Sequence, residues 1–130
     1  MPLRIGNVSG WTVPLDAGVY GFGMEQRRQE MFFFKRASIN DAVEECRNTP
    51  GAVLLDVREA DEFRSGHIPG AVNAPLSAIE QVTLPKDKPL FVYCLRGTRS
   101  RRAVSRLTRM GYQNVKSIGG IISYKGPLEK

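Results

Sequence analysis

The 130-residue chain carries 19 Lys and Arg against 13 Asp and Glu, a formal net charge of +6, with two cysteines and one histidine. That length suits one domain able to bury roughly 65–70% of its unfolded surface without staples. Cysteines at 46 and 94 and a histidine at 67 make no CxxC and no Cys/His cluster with metal spacing, which excludes a structural zinc site and a disulfide framework.

The longest bulky apolar run, Met31-Phe32-Phe33-Phe34, is far shorter than the roughly 20 residues that span a bilayer or the 7–15 of a signal-peptide core. No membrane partner is expected, and the default compartment is the cytoplasm, where a lone thiol stays free. Six arginines fall between 96 and 109, at 96, 99, 101, 102, 106 and 109. Such a run can mark nucleic-acid binding, but aromatics do not interleave with it. A small anionic substrate accounts more economically for the two arginines nearest Cys94, and no nucleic-acid partner is expected.

Residues 1–34 read as an irregular or disordered extension, since Gly6, Gly10, Gly18, Gly21, Gly23, Pro2 and Pro14 break up short apolar pieces that keep no period. Met24 and Met31 could each serve as an alternative start, residues 25–30 form a polar linker or short helix, and a partner-binding arm is the functional alternative. The folded domain is expected over 35–130. Ser38 followed by Asp41 resembles a capping box, and Ile39, Ala42, Val43 and Cys46 mark one helical face, stopped by Asn48-Thr49-Pro50-Gly51. Ala52–Val57 is an apolar run with the look of a buried parallel strand. Glu59–Ser65 can form a short helix ended by Gly66, and Glu59, Asp61 and Glu62 look like its solvated acidic face.

The turn His67-Ile68-Pro69-Gly70 leads to a short strand at Ala71–Asn73 and a weak helix at Ser77–Val82. Past a polar connection at Pro85–Pro89, Leu90–Tyr93 is the best strand of the chain. A helix from Ser100 to Met110 sets Ala103, Val104, Leu107 and Met110 on one face and most of its arginines on the other, with Gly111 as its cap. Val115–Ile118 is the last strand, and Gly119-Gly120 opens a loop into a final helical turn. This alternation means an α/β fold with a mostly parallel sheet, whose ligand site lies at the carboxyl ends of the strands, where Asp56-Val57-Arg58 and Cys94 sit.

Cys94 therefore faces a helix N-terminus. Backbone N–H groups, the positive end of the helix dipole, Arg96 and Arg99 favour a thiolate there, so Cys94 is placed to be a nucleophile. Cys46, on an apolar helical face, reads as a core thiol, and His67 as a structural hydrogen-bonding residue.

Leu54-Leu55-Asp56-Val57-Arg58, Glu62-Phe63, Gly66-His67-Ile68-Pro69-Gly70-Ala71, Tyr93-Cys94-Leu95-Arg96-Gly97-Thr98-Arg99-Ser100 and Gly119-Gly120 occur in the order and spacing of a single-domain rhodanese, and over about residues 35–130 the chain resembles that sulfurtransferase family. The resemblance implies a three-layer α/β fold with a mostly parallel central sheet flanked by helices, a persulfide intermediate on Cys94, and no metal or organic cofactor. It implies as partners a small anionic sulfur donor such as thiosulfate or a persulfide, a thiol or cyanide acceptor, and a sulfur-relay protein as a further candidate. Leu95, Arg96, Gly97, Thr98, Arg99 and Ser100 would bind substrate. Gly97 lets the backbone turn around the sulfur, Arg96 holds an anionic donor and Ser100 caps the helix. Asp56 and Arg58 would pair beneath the loop and align Cys94.

The loop from Cys94 to Arg99 is six residues long, whereas rhodanese-like phosphatases resemble this fold with one residue more, so sulfur is favoured over phosphate. Mercaptopyruvate-type relatives look like small-residue loops ending in valine-threonine, unlike this one. The alternative from another class is a catalytically minor rhodanese-like module that binds a partner protein or senses persulfide.

Overall fold

The computed structural model describes residues 38–130; the expectations for residues 1–34, with Met24, Met31 and the polar stretch at 25–30, lie outside the described residues. Helix α1 spans Ile39–Arg47, with Ser38 Oγ accepting the Asp41 amide at 3.1 Å. Strand β1, Val53–Asp56, is followed by helix α2, Ala60–Ser65, and by the short strand β2, Val72–Asn73. The weak helix expected at Ser77–Val82 is a 3-10 segment, Leu76–Gln81, that breaks its helical geometry at Ala78. Strand β3, Pro89–Cys94, helix α3, Thr98–Arg109, strand β4, Asn114–Gly120, and a 3-10 turn, Ile121–Ser123, complete the order.

The four strands form one sheet in the order β2-β1-β3-β4, every pairing parallel. Parallel neighbours need crossover connections, which the helices supply. Alternation along β3 divides the core. Leu90, Val92 and Cys94 join Leu55, Ile79, Ala103, Leu107 and Tyr112 in one buried cluster under α3. Phe91 and Tyr93 turn the other way, towards the face where α1 packs on β1, β3 and β4 with Ile39, Ala42, Val43 and Cys46 buried.

Strand β4 corrects the sequence reading, which ended it at Ile118. Val92 pairs with Ser117, but Tyr93 pairs with Gly119 and Cys94 with Gly120, so β4 bulges by one residue and continues through both glycines. Gly119 supplies the left-handed backbone there, with φ +107°, a conformation costly for other residues. Gly120 is needed for a different reason: a Cβ at that position would collide with the Leu95 carbonyl. The loop after Cys94 is thus laid directly on the end of β4.

Candidate active site

Cys94 is the last residue of β3 and only 1% exposed. Its chain turns through Leu95 and Arg96 to Gly97, whose φ of +110° is reachable at low cost only without a side chain. That turn aims two amides back at the sulfur. Gly97 N donates to Cys94 Sγ at 3.0 Å and Ser100 N at 3.3 Å, so Sγ takes N–H groups at the end where the dipole of α3 is positive.

Ser100 does not cap α3 as expected. Its place is the third residue of the helix, where its own amide is one of the orphan donors; the residue flanking the helix is Gly97. The Ser100 hydroxyl instead donates to the Gly97 carbonyl at 2.9 Å and meets Ser117 Oγ at 2.7 Å. Ser117 on β4, which the sequence reading passed over, thereby ties the loop to the sheet.

A pocket of about 240 Å³ opens at the sulfur, lined by Cys94, Leu95, Arg96, Thr98 and Arg99. Leu95 forms a half-buried wall, while Arg96 and Thr98 are exposed at the mouth. The two arginines of this loop differ. Arg99 donates through Nη1 and Nη2 to the two carboxylate oxygens of Glu62 at 2.8 and 3.1 Å, whereas Arg96 has no ion pair among the described residues. Glu62 is therefore not part of a solvated face. Its Oε1 also accepts the Glu59 amide at 2.9 Å, at the start of α2. The Arg99 bonds hold the Glu62 carboxyl down to about 2, and the same bonds raise the Arg99 guanidinium above its ordinary value.

Asp56 and Arg58 do pair. Arg58 Nη2 lies 2.7 Å from Asp56 Oδ2, Nε reaches both carboxylate oxygens, and the Arg58 amide donates to Oδ1 at 3.0 Å. Both residues are buried, as a charge pair must be fully bonded to be. The pair's further bonds run away from the 94–99 loop. Arg58 Nη2 donates to the Gly66 carbonyl at 2.8 Å, and the Tyr93 hydroxyl, beside Asp56, accepts the Ile68 amide at 3.1 Å. Burial pushes the Tyr93 phenol up and keeps it neutral.

His67 holds the same turn. Its Nδ1 meets the Phe63 carbonyl at 2.9 Å, its ring stacks on Phe63 at 3.7 Å, and its backbone pairs with Glu129. Cys46 is a core thiol, pushed up to about 11 chiefly by burial. Among the described residues no three His, Cys, Asp or Glu side chains group so as to hold a metal, and no helix is long and apolar enough to cross a membrane.

A parallel α/β sheet with a cysteine at its carboxyl edge, inside a turn of amides, defines the class of the protein. The chain belongs to the rhodanese-like domain family, whose model matches residues 39–126. It is 37% identical over 99 residues to the adenylyltransferase and sulfurtransferase UBA4 of Meyerozyma guilliermondii, a match covering 68% of this chain and 23% of that protein. It is also 40% identical over 72 residues to the thiosulfate sulfurtransferase GlpE of Pseudomonas savastanoi pv. phaseolicola, over 54% of this chain and 68% of the relative. This chain thus spans under a quarter of the first relative and about two thirds of the second. Among solved structures, a rhodanese with anions from E. coli matches with a TM-score of 0.56 and 30% identity, covering 61% of this chain and 98% of that one.

Proposed function

We propose that this chain is a sulfurtransferase that moves sulfane sulfur from thiosulfate or a persulfide to a thiol or cyanide through a persulfide on Cys94. The observation that carries this reading is a buried Sγ, bonded by the Gly97 and Ser100 amides, at the floor of a pocket lined by one uncompensated arginine. The sulfurtransferase names of the relatives agree with it.

The chemistry balances without a redox partner. Cys94 thiolate attacks the outer sulfur of thiosulfate, the S–S bond of the donor breaks, and sulfite leaves with the electron pair. The Cys94 persulfide anion then sits among the amide donors, which favour negative charge. An acceptor thiolate or cyanide attacks the outer sulfur and the Sγ–S bond breaks. Cys94 leaves as thiolate, ready for another turn.

Arg96 holds an anionic donor at the mouth, Leu95, Thr98 and Arg99 wall the pocket, and Asp56 with Arg58 positions the end of β1 and Tyr93 beside the nucleophile. The unit carrying this chemistry is residues 35–130, with 1–34 as an extension. A thiol nucleophile of this kind suits a reducing compartment such as the cytoplasm.

Intact mass after incubation with thiosulfate tests the reading. The expected result is a gain of one sulfur atom that cyanide removes and that Cys94→Ser lacks. No gain from thiosulfate or from a persulfide donor overturns it.

A further inference from the structure

Helix α3 bears no acidic residue: its sequence is TRSRRAVSRLTR. Ser100, Ala103 and Leu107 are buried, and the opposite stripe, Thr98, Arg101, Arg102, Ser105, Thr108 and Arg109, is exposed. An exposed helical face normally mixes signs so that residues four apart attract, and cations near a helix N-terminus oppose the dipole. Arg101 stands close to the helix N-terminus, and Arg102 has Arg99 and Arg106 three and four residues away. Neither Arg101 nor Arg102 has an ion pair among the described residues, and Arg109 bonds only Ser105 Oγ, at 3.2 Å.

This stripe begins at the pocket. Thr98 lines the mouth, Arg102 lies one turn further along the same face, and Arg109 two turns beyond that, within a helix about 18 Å long. The same loop is bonded to Ile122, 57% exposed, whose amide donates to the Leu95 carbonyl at 3.2 Å. The loop that carries the nucleophile thus leads into a row of cations and holds the backbone of an exposed aliphatic residue. An apolar anchor beside a charged rim is the anatomy of a protein interface. A nucleic-acid surface would more naturally offer aromatic platforms among the cations, and the α3 stripe contains none.

We infer that the exposed arginine face of α3, with Ile122, is the docking surface for an acidic protein that presents the thiol exchanging sulfur with Cys94. The inference rests on the sulfur-transfer reading and names the class of macromolecular partner for the same site. The charges speed encounter and set orientation, and Ile122 seats an apolar side chain of the partner beside the loop.

The probes are two synthetic peptides, each with one cysteine and one leucine, one carrying four glutamates and the other four glutamines in their place. Persulfide transfer from the full-length protein to the acidic peptide should exceed transfer to the neutral one by about tenfold in kcat/KM at low ionic strength, and the gap should close as salt is added. Arg102→Gln with Arg109→Gln should bring the acidic peptide down to the neutral rate while transfer to cyanide stays as in the wild type; Ile122→Ser should slow both peptides and spare cyanide. Fluorescence anisotropy of the labelled acidic peptide on sulfur-free protein reads docking even if no sulfur is ever loaded, and it should weaken in the double variant. Equal handling of the two peptides, or no loss of binding in the double variant, overturns the inference. Tighter binding of a single-stranded RNA oligonucleotide than of the acidic peptide, lost in the same double variant, also overturns it and assigns the stripe to nucleic acid.

Discussion

Arg99 spends both terminal nitrogens on Glu62, at 2.8 and 3.1 Å, across 37 residues of sequence. The bond fastens the far end of the nucleophile's loop to α2 and cancels one of its two positive charges. An anionic donor entering the pocket therefore meets Arg96 as the uncompensated cation of its lining.

Replacing Arg96 with Ala should weaken use of thiosulfate more than use of a neutral persulfide donor, by about 1–3 kcal/mol in kcat/KM, as for a lost charge-assisted contact. Steady-state kinetics with both donors check this. Equal losses would give Arg96 a role in shaping the loop instead.

The Glu62 carboxyl, held down to about 2 from 4.5, should register in the acid limb of stability. A carboxyl whose folded value lies below its unfolded one adds stability above the unfolded value and loses it as pH falls through the folded one. Urea midpoints should show Glu62→Gln less stable than the wild type at neutral pH by about 1 kcal/mol, the modest worth of a partly exposed pair. The difference should shrink as the pH falls from about 4.5 towards 2. A constant difference across that window would remove the ion pair as its cause.

Iodoacetamide should label Cys94 well before Cys46 at and below about pH 9, because alkylation needs a thiolate. Cys94 Sγ takes two amide bonds, while burial pushes the Cys46 thiol up to about 11. Peptide mass analysis reads the order. Labelling of Cys46 first would contradict the placement of both thiols.

Two neighbouring glycines should respond differently to alanine. At Gly120 the new methyl meets the Leu95 carbonyl, so Gly120→Ala should lower persulfide formation by displacing the loop and cost about 1–3 kcal/mol, typical of overpacking. At Gly119 a Cβ has no heavy atom within 4 Å, and Gly119→Ala should cost only the left-handed backbone, about 1–2 kcal/mol. Thermal denaturation together with mass analysis of thiosulfate-treated protein separates the two.

Much of this architecture was legible because it is local. The apolar runs of β1 and β3, the face of α1 and the position of Cys94 between strand and helix follow from patterns a few residues long. Two of the missed features are not local. Glu62 looked like an acid in the first turn of a short helix, and only the crossover of the chain brings it to Arg99. Ser117 reaches the loop through the pairing of β4 with β3, Gly120 reaches it because β4 bulges by one residue after Ser117, and a pair of glycines reads equally well as a loop. The residue type of Ser100 suits a cap, but the chain turns three residues earlier, at Gly97, and hands the Ser100 amide to sulfur.

The last of these features joins chemistry to architecture. Sγ of Cys94 occupies the place that a capping oxygen fills in other helices, since it receives the third amide of α3. Whatever is attached to that atom also alters how the helix begins. Adding a sulfur, blocking the thiol with an alkyl group or replacing it with a hydroxyl should each shift the melting temperature, and the thermometer becomes a gauge of what the nucleophile is carrying.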